Sequence, residues 1–146
     1  MKLLIKKLDE NAMLPKRATS QSAGADLCAC IDSPVTIQPG EIKMLSTGIS
    51  VEPDDKSVAM LVFARSSLAS RHGIALANSV GVIDSDYRGE IKIPLINSGS
   101  SPYEITPGER IAQLVVTPVI FPEIEETRCL SDTERGEGGF GSTGKL

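Results

Sequence analysis

Apolar residues along this chain come in short blocks, at 2–8, 41–51, 57–64, 89–96 and 109–120, each bounded by Gly, Pro, Asn, Asp or Ser. Blocks of that length between turn formers predict β-strands, and no stretch sustains the 3.6-residue apolar period of a helix. One helical turn is allowed over Ser66 to Arg71, where Gly73 stops it. The strings Ile37-Gln38-Pro39-Gly40-Glu41 and Ile105-Thr106-Pro107-Gly108-Glu109 repeat one turn device. In each, proline sets φ at the second turn position and glycine accepts positive φ at the third, so each should launch a strand. With 13 glycines and 9 prolines spread along the chain, the expected architecture is all-β, a jelly-roll β-barrel with the two repeats at matching corners.

The pattern changes after Leu130. Ser131 to Leu146 holds five glycines and few apolar side chains, too little burial to offset the entropy of ordering it. We therefore expect a barrel domain over 1–130 and a flexible glycine-rich C-terminal arm over 131–146. The whole is 146 residues with 40% apolar content, enough for one core. A net charge of −4 supplies no basic face, which argues against nucleic acid or an anionic membrane as partner and requires any phosphate to meet a local cationic site. The opening Met1 to Leu8 is too short and too lysine-rich for a signal peptide or a membrane span, and reads as the first strand of a cytosolic protein. Cys28, Cys30 and Cys129 have no CxxC spacing and only His72 to join them, so a zinc site is not expected. Carboxylates are the better candidates for bases than a Ser-His-Asp or Cys-His arrangement.

Three segments carry candidate chemistry. Gly81-Val82-Ile83-Asp84-Ser85-Asp86-Tyr87-Arg88-Gly89-Glu90-Ile91 places an acidic turn and a tyrosine between apolar strand ends, as a hairpin would. Asp84 and Asp86 can be ordinary turn formers, or Asp84 beside Val82-Ile83 can orient a water as general base. Arg65-Ser66-Ser67-Leu68-Ala69 follows a strand end, and an arginine beside two serines suits a phosphate. The bland alternative is a serine N-cap on a short helix with a solvated arginine. The tail Gly139 to Leu146 fits G-x-x-x-x-G-K but has leucine where a Walker loop needs Ser or Thr, and no helix can follow it. What remains is close approach of small-residue backbone to phosphate oxygens, with Arg135, Ser142 and Thr143 as donors and Phe140 able to cover a nucleobase.

Taken together these segments resemble the trimeric dUTPase family, whose five motifs occur here in order. Ala23-Gly24-Ala25-Asp26-Leu27 resembles the first, with alanine where tyrosine is frequent in the family. Arg65 to Ala69 resembles the second, Gly81 to Ile91 the third, Gly108-Glu109-Arg110-Ile111-Ala112-Gln113-Leu114 the fourth, and Arg135 to Gly144 the fifth. The resemblance implies a homotrimer with sites shared between chains, which cleaves dUTP to dUMP and pyrophosphate with Mg2+, keeping uracil out of DNA and supplying dUMP for thymidylate synthesis. It implies Asp84 as the base that deprotonates the attacking water, and Tyr87 packed on the deoxyribose. Asn78 with backbone of Gly81, Val82 and Ile83 would meet the uracil, while Arg65, Ser66, Ser67 and Gln113 would hold the phosphates. Arg135, Ser142 and Thr143 would clamp the γ end and Phe140 cover the base, with Gly141 among the substrate-binding residues of the arm. Magnesium would be held mainly by substrate phosphates and waters, with Asp26 contributing either to it through water or to the phosphate-side network. The expected location is the cytoplasm, or the host-cell interior for a viral protein. A dCTP deaminase-like or bifunctional enzyme on the same barrel, and a non-enzymatic regulatory binding module, are the alternatives.

Overall fold

The computed structural model describes residues 1–139. Eleven strands and one helix follow in order: β1 Leu3–Lys7, β2 Ala25–Cys28, β3 Val35–Ile37, β4 Ile42–Ser46, β5 Ile49–Pro53, β6 Val58–Ala64, α1 Ser66–His72, β7 Ile74–Leu76, β8 Gly81–Ile83, β9 Lys92–Asn97, β10 Tyr103–Ile105 and β11 Arg110–Pro118. The expected all-β character is observed. The strands pair antiparallel in four sheets, β1-β5, β10-β3, β2-β11-β6-β8 and β4-β9-β7. Placing β11 between β2 and β6 needs long connections rather than successive hairpins, which is how a jelly roll differs from a meander.

Each proline-glycine corner launches its strand. Gly40 and Gly108 have φ of 79° and 76°, and the turns close with Glu41 N–H on the Gln38 carbonyl at 2.9 Å and Glu109 N–H on the Thr106 carbonyl at 3.1 Å. The helix occupies its expected place and ends at Gly73, whose φ of 70° gives the left-handed cap.

The apolar block 41–51 forms two strands rather than one. It breaks at Thr47-Gly48, where Gly48 has φ of 67° and its N–H meets a Glu90 carboxylate oxygen at 2.9 Å. Strands β2, β3, β7 and β10 are only three or four residues long, too short to show a period, and lie outside the apolar blocks, whereas β8 is the apolar strand end expected at Gly81-Val82-Ile83. Alternation on β9 turns Ile93, Leu95 and Asn97 inward, and they join Leu27, Ile37, Ile49, Met60, Ile74, Ile105 and Ile111 in the core. Asn97 is tolerated there because it donates to the Ile37 and Ser101 carbonyls, both at 2.9 Å, and accepts Gly99 N–H at 2.9 Å.

The segment 81–91 does not close as a hairpin. Strand β8 pairs with β6, whereas β9 pairs with β4 and β7, so this segment crosses between two sheets and leaves a gap along its path. After Pro118 the described residues contain no strand or helix, and Ile120, Phe121, Ile124 and Leu130 are exposed there.

Candidate active site

The gap beside segment 81–91 is a cavity of about 560 Å³. Its floor is apolar because β4, β6, β7 and β9 converge on it with Met44, Val62, Leu76 and Ile93, while Asn78, Asp84 and Tyr87 bring polar groups to it. Gly81, Val82 and Ile83 form one wall, so all six sequence-expected residues of the third-motif region meet at one place. Asn78 stands on a tight turn in which Val80 N–H reaches the Asn78 carbonyl at 2.7 Å. That turn holds Ser79 at φ 63°, a left-handed conformation that costs a serine roughly 1 kcal/mol and is most often retained where a side chain has to be aimed.

Asp84 is exposed and opens a turn closed by Tyr87 N–H on the Asp84 carbonyl at 3.1 Å. Arg88 braces this turn from outside, donating to the Ser85 and Tyr87 carbonyls at 2.9 and 3.0 Å and pairing with Glu52 on β5 at 2.7 Å. Lys56 and Arg88 beside Glu52 hold its carboxyl below the usual carboxylate range. Ser85 adds a fourth tie, from its hydroxyl to the Lys56 carbonyl at 3.2 Å.

A second cluster forms where β2, β11 and the end of β6 meet. Asp26 on β2 accepts from Arg65 Nε at 3.0 Å through one oxygen and from Arg110 at 3.1 Å through the other. Gln113 on β11 pairs with Asp26 in register and donates to the Ala64 carbonyl at 3.0 Å. Arg65 is itself the N-cap of α1 and makes no side-chain cap bond, so Ser66 is not the capping serine. The hydroxyls of Ser66 and Ser67 are exposed in the first helical turn. This cluster offers two guanidiniums, two hydroxyls and an amide, an anion-binding inventory.

Burial, followed by the neighbouring Asp26, pushes the Cys28 thiol up, and burial with Asp9 does the same for Cys30. Neither is poised as a thiolate nucleophile. Arg135 bonds within its own turn, to the Gly138 carbonyl at 2.8 Å, and lines neither cluster. Phe140, Gly141, Ser142 and Thr143 lie outside the described residues. Arg110, Glu52, Met44 and Glu90 were not singled out from the sequence. Arg110 stood inside the fourth motif, whereas Met44 and Glu52 come from strands remote in the chain and carried no local signal.

The two clusters occupy opposite ends of β6. Ile83 pairs with Met60, so Asp84 leaves the sheet near the level of Ala59, six residues before Arg65. At about 3.3 Å per residue that is roughly 20 Å along one strand.

An apolar slot with a few aimed polar groups, set apart from a separate cationic cluster, defines a nucleotide-handling β-barrel. The family model described as dUTPase matches residues 10–144. The deoxyuridine 5'-triphosphate nucleotidohydrolase of Desulfitobacterium hafniense is 49% identical over 99% of this chain and 95% of its own length. That of Ralstonia pickettii is 45% identical over 99% of both. The chain therefore belongs to the dUTPase family. Among solved structures it is similar to a point mutant of the Staphylococcus bacteriophage 80alpha dUTPase with dUpNHpp, at TM-score 0.88 and 28% identity over 98% of both chains. It shares the fold of a mutant dUTPase from phage phi11 of S. aureus, a protein that coordinates a structural Mg(II) ion, at TM-score 0.81 and 23% identity over 90% of this chain and all of that one.

Proposed function

We propose that this protein hydrolyses dUTP to dUMP and pyrophosphate in a homotrimer whose sites are shared between chains. The observation that carries the reading is the convergence of Asn78, Asp84 and Tyr87 on one largely apolar cavity in a chain of this family. Uracil enters the slot between Gly81–Ile83 and the apolar floor, where Asn78 and the exposed backbone of that segment meet its edge. Tyr87 closes the sugar side and excludes a 2′-hydroxyl. Asp84 accepts a proton from a water, the oxygen of that water bonds to the α-phosphorus, and the bond from the α-phosphorus to the bridging oxygen breaks, its electrons leaving with pyrophosphate.

Arg65, Ser66, Ser67 and Gln113 hold the phosphate oxygens and neutralise charge as it moves to the leaving group. A divalent magnesium ion on the triphosphate would add Lewis-acid charge neutralisation there. Among the described residues no group of three His, Cys, Asp or Glu is placed to hold a metal. Both Asp26 oxygens already accept from guanidinium. This donor set fits an ion carried by phosphates and waters, with Asp26 contributing through water rather than as a direct ligand.

The separation of about 20 Å along β6 supports sharing between chains, since a base and a phosphate clamp must act within a few ångströms of one phosphorus. The exposed Ile120, Phe121, Ile124 and Leu130 supply apolar surface for such an assembly. The three free cysteines fit a reducing compartment, and we place the activity in the cytoplasm.

The test is pyrophosphate release from dUTP, dCTP, dTTP and UTP with magnesium. Only dUTP should turn over rapidly. Cytosine leaves the polar groups of the slot unpaired, a penalty that can reach about 10⁴-fold, and the thymine methyl overpacks the slot at roughly 1–3 kcal/mol. Ammonia from dCTP would place the chain with the deaminases instead, and equal rates on all four would refute the slot.

A further inference from the structure

Selectivity against ribonucleotides needs more than a tyrosine in the right place, because an apolar wall that can yield rejects an added hydroxyl only about 10²-fold or less. Tyr87 is half exposed, so something has to hold its ring. Two contacts do so. Its hydroxyl donates to the Glu90 carbonyl at 3.1 Å, and the ring lies across Gly89, where a β-carbon would collide with the Tyr87 hydroxyl and Cζ and stand 2.9 Å from Cε2. Glu90 is itself fixed, its carboxylate accepting Gly48 N–H at 2.9 Å while the next residue, Ile91, donates to the Ile49 carbonyl at 2.9 Å. The ring therefore rests on a seat tied to the start of β5.

Gly89 does not have the positive φ that would require glycine for backbone reasons. Its lack of a side chain is explained by the ring alone. We propose that Gly89 is a positioning residue for sugar selectivity, its bare Cα forming the seat that holds Tyr87 rigid against the sugar and so excludes ribonucleoside triphosphates. This rests on the dUTP-hydrolase reading. It predicts that a methyl group at position 89 leaves the fold intact, because only the end of one half-exposed side chain must move, yet displaces the ring.

The experiment compares wild type, Gly89→Ala, Tyr87→Phe, Tyr87→Ala and the Gly89→Ala/Tyr87→Ala double variant by kcat/KM on dUTP and UTP. Gly89→Ala should raise the UTP-to-dUTP ratio by about tenfold with the melting temperature nearly unchanged, and Tyr87→Phe, which keeps the ring but loses the tie to Glu90, by a few-fold. Adding Gly89→Ala to Tyr87→Ala should change the ratio no further. A ratio unmoved by Gly89→Ala, or moved equally in the Tyr87→Ala background, overturns the assignment, and Tyr87→Phe decides it if Gly89→Ala does not fold.

A second readout needs no turnover. The chain has no tryptophan and two tyrosines, so in a Tyr103→Phe background the intrinsic emission is that of Tyr87, and Gly89→Ala should increase its quenching by acrylamide. Unchanged quenching refutes the seat. A wild type inactive on dUTP but with quenching raised by Gly89→Ala would instead refute the hydrolase reading and leave the seat standing.

Discussion

Asp84 stands at the mouth of an apolar cavity, with its backbone tied into a turn and its carboxylate left to solvent. Its proposed work is to take one proton, so Asp84→Asn, which keeps size and hydrogen-bonding reach, should lower kcat by about 10²–10⁴. Affinity for a non-hydrolysable dUTP analogue, read by calorimetry, should stay within about tenfold, and a variant keeping more than about a tenth of wild-type kcat would remove Asp84 as the base. Tyr103 gives a second prediction at this scale. Burial, with Glu109 accepting a hydrogen bond from its hydroxyl at 2.8 Å, pushes its pKa from 10.0 to about 12. The native state thus keeps a proton that the unfolded chain releases. The stabilisation is fully present below pH 10 and is lost as pH rises from 10 towards 12. Cys28 and Cys30, also shifted up, act with the same sign, so the difference between wild type and Tyr103→Phe isolates the tyrosine. Urea titrations at pH 9 and 11.5 should show wild type losing more stability than the variant, and parallel losses would contradict the assignment.

At the scale of elements, the turn 84–88 has little regular structure to hold it, and Arg88 with Glu52 does that work from outside the cavity. An exposed ion pair alone contributes about 0–1 kcal/mol to stability. Arg88→Ala should therefore shift the melting temperature by only about 2–4 °C. It also frees two carbonyls of the turn that carries Asp84 and Tyr87, and misplacement by even an ångström is costly in catalysis. We expect kcat/KM on dUTP to fall by about tenfold or more. A variant as active as wild type would show that the turn holds itself.

At the scale of the whole molecule, the distance along β6 makes a sharp demand. If each site takes its base from one chain and its phosphate clamp from another, Asp84→Asn and Arg65→Ala trimers, each nearly inactive, should regain activity when their subunits are mixed. Random assortment at equal amounts would restore about a quarter of the sites. Mixed trimers that stay inactive, with exchange verified by mass spectrometry, would mean that each chain works alone. Light scattering on the wild type should give three times the 15.5 kDa chain mass.

The sequence by itself determined the strand blocks, the two proline-glycine corners, the short helix stopped by Gly73 and the grouping of site residues into motifs. All of these are encoded locally, in side-chain period, turn chemistry and short-range order. It did not show that 41–51 would break at Gly48, because the N–H freed there is met by Glu90, 42 residues away. Nor did it show that 81–91 would cross between sheets rather than close as a hairpin, since either path uses the same apolar strand ends and only competition for β6, β4 and β7 decides between them. That decision opens the cavity, brings Met44 into its floor and sets Glu52 against Arg88. Long-range pairing chooses partners that no local window contains, and in this protein the geometry of the site follows from that choice.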